Sequence, residues 1–228
     1  MDTVTIILIV LILVLIYLLY TYFTDSAVQL ISTADLNNEV TAISDVSKPL
    51  NRRYGHSVWI YVSSWDNNAQ KNIISREGQF RLYLEQSAPT LKLDMNMNNK
   101  DNTTQTMIIT NNFPLQKWVS IAISVDNQFV DAYLDGKLVR SQRFYDSKNN
   151  VMLASPPKKA PLYLGKDSRF DAYATLFKRW TEPISPEAAW DNYMKGNGSS
   201  KMTSALNDIG IDLSVLQNNE EIKKISLM

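Results

Sequence analysis

The sequence contains no cysteine and only one histidine, His56. Without cysteine the chain has no disulfide framework, no thiolate metal site and no cysteine nucleophile. Zinc sites built from imidazoles need at least two histidines, and a serine triad would need this one beside its nucleophile. His56 comes between Gly55 and Ser57, just before a strand-like run. We therefore predict a structural role for it.

The formal net charge is zero, because 23 Lys and Arg residues are balanced by 23 Asp and Glu residues. Without an excess of basic residues there is no large positive field to attract phosphates, so we predict no nucleic-acid partner. The seven glycines are scattered, which excludes a glycine-rich phosphate loop. The sequence therefore indicates no cofactor. Its 228 residues have room for one membrane span and one domain.

A long uncharged run is present near the N-terminus, from Val4 to Phe23. At about 1.5 Å per residue it can cross the hydrocarbon layer of a bilayer, about 30 Å thick. A cleaved signal peptide is the alternative, but no Lys or Arg precedes the run and it exceeds a usual signal-peptide core. We predict a single-pass anchor over residues 1–24 with the larger C-terminal part on the cytosolic side. Representative anchor residues are Val4, Ile9, Leu13, Tyr17, Tyr20 and Phe23.

Short apolar runs with period-two alternation follow, separated by clusters of Asn, Asp, Ser and Gly. This pattern is typical of strands joined by turns, and so many strands without intervening helices predict an all-β antiparallel sandwich. Residues 25–53 are predicted to form a stalk whose later part adds a first strand. The other predicted strands are 58–62, 72–75, 80–85, 90–95, 106–110, 118–125, 129–134, 137–142, 162–164 and 172–178.

Two local signals are specific. Asp135-Gly136, between two strand-like runs, predicts a type I′ hairpin because glycine accepts the positive φ that this turn requires. Near the C-terminal end, Ser185 can cap a helix, Pro186 fits its first position and Gly196 can end it. We predict one short helix from about Pro186 to Lys195.

The runs 117–123 and 132–138, together with 57–62 and Pro161 to Gly165, resemble the concanavalin A-like, laminin-G-like jelly-roll family. The resemblance implies a jelly-roll sandwich over residues 54–198. Ala172 departs from the family pattern, in which a glycine usually stands at that place.

Asparagine-rich loops around the strand 59–62, behind an N-terminal span, are similar to membrane-associated structural proteins of large icosahedral DNA viruses. This second resemblance implies a minor capsid protein. Its location would be the internal membrane of a virion, with the domain facing the capsid. Its partners would be the lipid bilayer and other capsid or membrane-associated proteins.

The C-terminal segment 199–228 carries apolar residues in a polar background. Exposing them to water would be unfavourable, so the segment either packs on its own domain or docks on a partner. For the docking alternative, the predicted contacts are Leu206, Ile209, Ile211, Leu213 and Leu216.

Catalytic patterns are missing as well. Glycosidases that have this fold resemble one another in a strand with the pattern Glu-x-Asp-x-x-Glu. No such run occurs here, so we predict no enzymatic activity. Glu85 and Asp94 are isolated in strand-like segments, which is typical of solvated outward-facing residues. Calcium ligands could come from Asp66, Asp94, Asp101 and Asp126, but no loop of fixed spacing joins them and no metal site is predicted.

A lectin would need polar loop residues beside an aromatic side chain, and five residues qualify as glycan contacts: Trp65, Asp66, Asn67, Tyr83 and Asn111. The simpler interpretation is that Asn and Asp only form turns there. Trp59, Trp118 and Trp180 lie in or beside apolar runs, which predicts core side chains. The sequence thus favours a non-enzymatic, membrane-anchored structural protein, with a membrane-tethered lectin-like module as the alternative.

Overall fold

The computed structural model describes residues 3–24, 27–37, 42–44, 46, 48, 50–98, 103–145, 152–155, 160–198, 211–217 and 220–227. Helices and strands follow one another along these residues in a fixed order. They are α1 (Thr3–Thr24), β1 (Ala27–Asp35), β2 (Arg53–Val62), β3 (Lys71–Arg76), β4 (Phe80–Leu84), β5 (Leu91–Asn96), β6 (Thr104–Thr110), β7 (Trp118–Asp126), β8 (Phe129–Leu134), β9 (Lys137–Arg143), β10 (Leu162–Leu164), β11 (Ala172–Trp180), α2 (Pro186–Met194), β12 (Ile211–Gln217) and β13 (Glu220–Leu227).

Two antiparallel sheets form the body of the domain. Sheet A has the strand order β1-β11-β2-β7-β8-β9, and sheet B has the order β10-β3-β4-β5-β6. The predicted all-β antiparallel sandwich is therefore confirmed, and each of the ten predicted strands after the stalk corresponds to one of β2 to β11. The first strand lies earlier than predicted, because Ala27 already pairs with Trp180 and continues sheet A beyond β11.

Alternating side chains of both sheets build one apolar core. In β2 the even-numbered residues from Tyr54 to Val62 point inward and are fully buried. In β5 the inward residues are Leu91, Leu93 and Met95. Residues from both sheets belong to a single buried cluster, so the core lies between the sheets.

Helix α2 covers part of the outer face of sheet A. Ser185 caps it by accepting a hydrogen bond of 3.1 Å from the backbone N–H of Ala188, and Pro186 takes the first position. The predicted helix is confirmed, ending at Met194. Ala188 and Ala189 pack in a small second cluster on this side of the sheet.

The predicted type I′ hairpin joins β8 to β9. Asp135 has φ 48° and Gly136 has φ 75°, so both central residues are left-handed as this turn requires. A Cβ on Gly136 would lie 2.9 Å from atoms of Trp190 and Tyr193 in α2. The tight turn therefore also lets the helix approach the sheet.

Helix α1 has 22 residues. Its described side chains, those of residues 5–17 and Leu19, are all exposed. Among them are the predicted anchor residues Ile9, Leu13 and Tyr17. Within the described part of the chain, no helix combines the length and the hydropathy that a bilayer span requires. The anchor stays a prediction.

The C-terminal strands β12 and β13 pair with each other and form a separate two-stranded sheet. The sequence did not predict strands here. Ile211 pairs with Leu227, and Leu213 pairs with Ile225, so these positions share one face of the ladder. Of the predicted docking residues, Ile211, Leu213 and Leu216 belong to β12, whereas Leu206 and Ile209 lie outside the described residues.

Strand β9 forms one edge of sheet A. Six of its seven residues are exposed, and its sequence includes Lys137, Arg140 and Arg143. The Arg143 guanidinium lies over the rings of Phe129 and Tyr145, at 5.2 and 4.7 Å from their centroids.

Candidate functional site

A polar depression of about 740 Å³ lies on the outer face of sheet B. It follows from strand register: the outward positions of neighbouring strands align in a row that crosses all five strands of the sheet. The members of this sheet B row are Thr106, Asp94, Arg81, Ser75 and Tyr163. Four of them line the depression, together with Asn96 and Thr104.

Arg81 is the centre of a hydrogen-bond network on this face. Its guanidinium donates to Asp94 at 2.9 Å and to Gln70 at 3.1 Å, and it lies 4.1 Å from the centroid of the Tyr83 ring. Asp94 also accepts from the hydroxyl of Thr106 at 2.6 Å. These side chains are held in place before any ligand arrives.

The loop between β2 and β3 forms one rim of the face. Lys71, which is 2 % exposed, donates to the carbonyl oxygen and the carboxylate of Asp66 and lies 4.5 Å from the centroid of the Trp65 ring. The Trp65 indole N–H donates to Asn67 at 3.0 Å. Gln86, which lines the depression, donates to the carbonyl of Asn67 at 2.9 Å.

Four of the five predicted glycan contacts thus lie near one another. Trp65, Asp66 and Asn67 share the loop, and Tyr83 is buried beneath Arg81 on the adjoining sheet. Burial, followed by the nearby Asp94 carboxylate, raises the pKa of Tyr83. Asn111 is exposed in the β6–β7 loop, and no described hydrogen bond connects it to the others. Their role as glycan contacts stays a prediction.

One buried polar atom at this site has no partner among the described residues. Asn72, 8 % exposed, donates from its side-chain amide to the carbonyl of Lys166 at 2.7 Å, but its Oδ1 accepts no hydrogen bond. Asn72 is one of the residues lining the depression. A buried acceptor without a donor lowers the stability of the folded protein.

Tyr163 closes the side of the depression formed by β10. The Lys166 ammonium lies 4.2 Å from the centroid of its ring, and both residues line the depression. Sequence reasoning missed Tyr163, Asn96 and Thr104 because they come from separate strands that meet only in the folded sheet. The available signal was the alternation in β5, whose outward positions are all polar or charged.

Two carboxylates of this face, those of Glu85 and Asp94, are engaged in ion pairs. Lys92 and Gln70 donate to Glu85, and these hydrogen bonds hold the pKa of Glu85 below its ordinary value. Asp94 is paired with Arg81. A glycosidase acid needs the opposite environment, one that raises the pKa of a carboxyl group so that it carries a proton.

His56 is completely buried between the two sheets. Burial, followed by the charges of Arg179 and Arg76, holds its pKa well below the ordinary value, so the ring is neutral. Arg179 donates to Nε2 at 3.1 Å, and burial lowers the pKa of this arginine to about 10. The ring packs on Phe177 and Phe80. The predicted structural role agrees with this position.

In the described ranges, no three His, Asp or Glu side chains are grouped so that they could hold a metal ion. Of the four aspartates considered for calcium, Asp66, Asp94 and Asp126 each pair with a basic side chain, and Asp101 lies outside the described residues.

The three tryptophans predicted as core residues have different environments. Trp59 and Trp180 are 7 % and 6 % exposed, as predicted, although they lie on the outer face of sheet A near α2. The prediction for Trp118 is wrong, because this residue is half-buried at the start of β7 and lies outside both apolar clusters of described residues. It points away from the core since Val119, its neighbour, points inward.

The family model of the concanavalin A-like lectin/glucanases superfamily matches residues 35–207. The chain belongs to this superfamily. The two sheets and the core described above are therefore its jelly roll, and the predicted family resemblance is confirmed.

Solved structures similar to this superfamily member include botulinum neurotoxin domains. The serotype D binding domain is 16 % identical with a TM-score of 0.49, the match covering 63 % of this chain and 37 % of that one. The type G receptor-binding domain is 13 % identical with a TM-score of 0.43, covering 64 % and 38 %. This chain thus spans well under half of those domains. No curated protein matches the sequence.

Proposed function

We propose that this protein is a membrane-anchored carbohydrate-binding module without catalytic activity, and that the depression on sheet B is its binding site. The observation that carries the proposal is the set of side chains lining the depression. Amide, hydroxyl, guanidinium and carboxylate groups surround one space.

A sugar matches this set because each of its hydroxyl groups both donates and accepts hydrogen bonds. The Arg81–Asp94 pair and the amides of Gln70 and Asn96 offer donors and acceptors in fixed positions. Side chains that are already ordered lose little conformational entropy on binding. Tyr163 adds an aromatic ring on which the apolar side of a sugar can pack.

The non-catalytic part of the proposal rests on the carboxylates. Glu85 is held ionised by Lys92, and Asp94 is engaged by Arg81 and by Thr106. The environment of Glu85 therefore does not favour a protonated carboxyl group that could donate to a leaving sugar. A binding role uses these groups as they are.

The anchor is proposed from α1. It contains no charged residue between Val4 and Phe23, and its described apolar side chains are exposed rather than packed on the sandwich. If the anchor is correct, the full-length protein resists extraction from membranes by alkaline carbonate, and deletion of residues 1–24 gives a soluble β-rich domain. Extraction by carbonate alone would contradict the anchor.

The binding site is tested with the full-length protein in a detergent that has no sugar headgroup, applied to immobilised glycans. We expect binding in the micromolar to millimolar range and a loss of at least about fivefold for Asn96→Ala, because one bidentate amide is removed. Asn112→Ala, an exposed asparagine outside the depression, is the matched control. The proposal fails if no glycan is retained, or if Asn96→Ala binds like the wild type.

A second candidate function is supported by the C-terminal hairpin. An isolated two-stranded sheet is only marginally stable in water, and β12–β13 carries the pairs Ile211–Leu227 and Leu213–Ile225 on one face. A protein assembly, such as the capsid shell around a virion's internal membrane, would give that face a partner. In this alternative the anchor links the membrane to the shell.

Truncation after Gly198 tests the second candidate. Docking predicts an unchanged melting temperature of the sandwich together with loss of incorporation into the assembly. A lower melting temperature with normal incorporation would show that the hairpin packs on its own domain.

A further inference from the structure

One end of the sandwich lies close along the chain to helix α1. Thr24 ends α1 and Ala27 begins β1, so these residues are separated by three Cα steps, which span at most about 11 Å. Ala27 pairs with Trp180 in β11, and Trp180 pairs with Gly55 in β2. Sheet A therefore begins within about 11 Å of the end of the helix.

The strands of sheet A extend beyond this row of paired residues. Arg53, which precedes Gly55 by two residues, pairs with Asp126. Phe129 pairs with Asp126 on one side and with Arg143 on the other. At about 3.3 Å per residue, this last row lies about 7 Å further out along the strands than the start of β1. It projects in the direction from which the chain enters the sheet.

Apolar side chains are exposed at this end. Leu50, Phe129 and Tyr145 are 58 %, 43 % and 41 % exposed. Leu50 lies at the same end as the last row, because the next residue, Asn51, donates at 3.0 Å to a carbonyl oxygen just beyond β11. We call Leu50, Phe129, Tyr145 and Arg143 the tip.

The charges at this end suit the headgroup layer of a membrane. Arg53 pairs with Asp126 at 3.0 Å and with Glu182 at 3.5 Å, so both carboxylates have a cation beside them. The Arg143 guanidinium lies over the two aromatic rings of the tip, and none of the ion pairs between described residues includes it. A guanidinium binds phosphate well, and aromatic rings are enriched at the boundary between lipid and water.

We propose that the tip enters the headgroup layer of the same bilayer that holds α1, so that the domain contacts the membrane with its own surface. This inference rests on the proposed anchor. With the end of α1 at the bilayer surface, Ala27 lies within about 11 Å of it, and the headgroup layer on each side is about 5 to 8 Å thick. The tip projects further than Ala27, so it reaches this layer when the strands stand close to the bilayer normal. Moving its apolar side chains out of water favours that orientation.

The contact has two separate points. Leu50 lies beside β2, whereas Phe129 begins β8, which is two strands away in sheet A and therefore about 10 Å distant. Two points of contact restrict the tilt of the domain on the membrane, which the covalent connection to α1 alone does not do.

The test uses the full-length protein in phosphatidylcholine vesicles. Because the chain has no cysteine, one introduced cysteine carries a polarity-sensitive fluorophore at one chosen place. In Phe129→Cys and Tyr145→Cys, the emission should shift to shorter wavelength, and a lipid with a nitroxide on its headgroup should quench it. Asn112→Cys is the control, because Asn112 is exposed in the loop before β7, at the other end of the sandwich. Its label should show neither change.

A matched pair of variants tests the side chains of the tip, with the label at position 145. Leu50→Ser combined with Phe129→Ser should remove most of the shift and most of the quenching, because two apolar side chains no longer leave water. Leu138→Ser combined with Val139→Ser removes two similarly exposed apolar side chains from β9 and should leave both signals unchanged. Equal melting temperatures of the variants confirm that each comparison concerns folded protein.

Resistance to alkaline carbonate separates the anchor from the tip. If carbonate extracts the wild type from the vesicles, the anchor fails and this inference fails with it. If the protein resists carbonate but the tip labels behave like the label at position 112, the anchor stands and the inference is wrong.

Three further results would overturn the inference. The label at position 112 is quenched as strongly as those of the tip, which means that the domain lies flat on the membrane; or Leu50→Ser with Phe129→Ser leaves both signals unchanged, which means that the connection to α1 alone brings this end to the bilayer; or the tip labels shift without being quenched, which means that a second copy of the protein covers the tip.

Discussion

The outer faces of the two sheets differ in what their aligned rows contain. On sheet B the row is polar, and Arg81, Asp94 and Thr106 hydrogen-bond to one another. On sheet A, small residues such as Gly55 and Ser57 lie under Ile184 and helix α2, and the aromatic residues Tyr61 and Trp118 lie in contact on the same sheet. The alternation of apolar and polar residues determines only that one face of each strand packs in the core. The residues on the other face determine whether it stays open or is covered.

The largest effect is expected at the covered part of sheet A, from Gly55→Val. The new side chain would collide with Ile184, whose Cγ1 lies 2.2 Å from the position of an added Cβ. We expect a loss of about 3 kcal/mol in the free energy of unfolding, measured by urea denaturation. Ile184→Ala should restore part of this loss in the double variant. If the double variant lost as much free energy of unfolding as the two single variants together, Ile184 would not pack on Gly55 as described.

The next effect is expected at the turn under α2. Gly136→Val places a β-branched residue at φ 75°, and its Cβ would also approach Tyr193 to 2.9 Å. A loss of roughly 1 to 3 kcal/mol should follow. Asp135→Ala should cost less than this, and an unchanged denaturation midpoint for Gly136→Val would contradict the turn.

On sheet B, Asp94→Ala should have a smaller effect. It removes an acceptor used by Arg81 and by Thr106, but Arg81 is more than one-third exposed and can turn to water. We expect a loss of about 1 kcal/mol. A loss of unfolding free energy as large as that of Gly55→Val would mean that the sheet B network contributes more to stability than its exposure allows.

The smallest effect concerns the pH dependence of the Glu85–Lys92 pair. The pKa of Glu85 is lowered, so its contribution is present above the unfolded value of about 4.3 and is lost as pH falls through the folded pKa. The pKa of Lys92 is raised by the same hydrogen bond, so its contribution is present below about 10.4 and is lost as pH rises through the folded pKa.

Because the pair is partly exposed, each change should be only a few tenths of a kcal/mol. When the pH is lowered from about 7 to about 3, the denaturation midpoint should fall less for Glu85→Gln than for the wild type. Identical pH profiles for the two proteins would show that the pair contributes nothing to stability.

Much of the sandwich could be predicted from the sequence because its signals are local. The strands from β2 to β11 follow from alternation, and the turn at Asp135-Gly136 and the cap at Ser185 follow from residue type. The first strand was misplaced because alternation in Ala27–Asp35 is weak, and its place depends on the edge of β11 that it pairs with.

The candidate sites could be predicted only in part. Trp65, Asp66 and Asn67 are adjacent in sequence, and they lie in the loop beside the depression without lining it, so their role as glycan contacts stays a prediction. Tyr163 joins the depression only through the order of the strands. The alignment of Tyr173, Tyr61 and Trp118 across three strands of sheet A was missed for the same reason. Tyr61 and Tyr173 are far apart in the chain, and register alone makes them neighbours.

The charged edge strand of sheet A affects whether neighbouring copies of the protein can associate through their sheets. Among the described strands, β9 pairs on one side only, so a second copy could add its own strand at this edge of the sheet. With Lys137, Arg140 and Arg143 along seven residues, two such edges brought side by side would place like charges together. Copies concentrated on one surface would therefore remain separate domains rather than grow into a continuous intermolecular sheet.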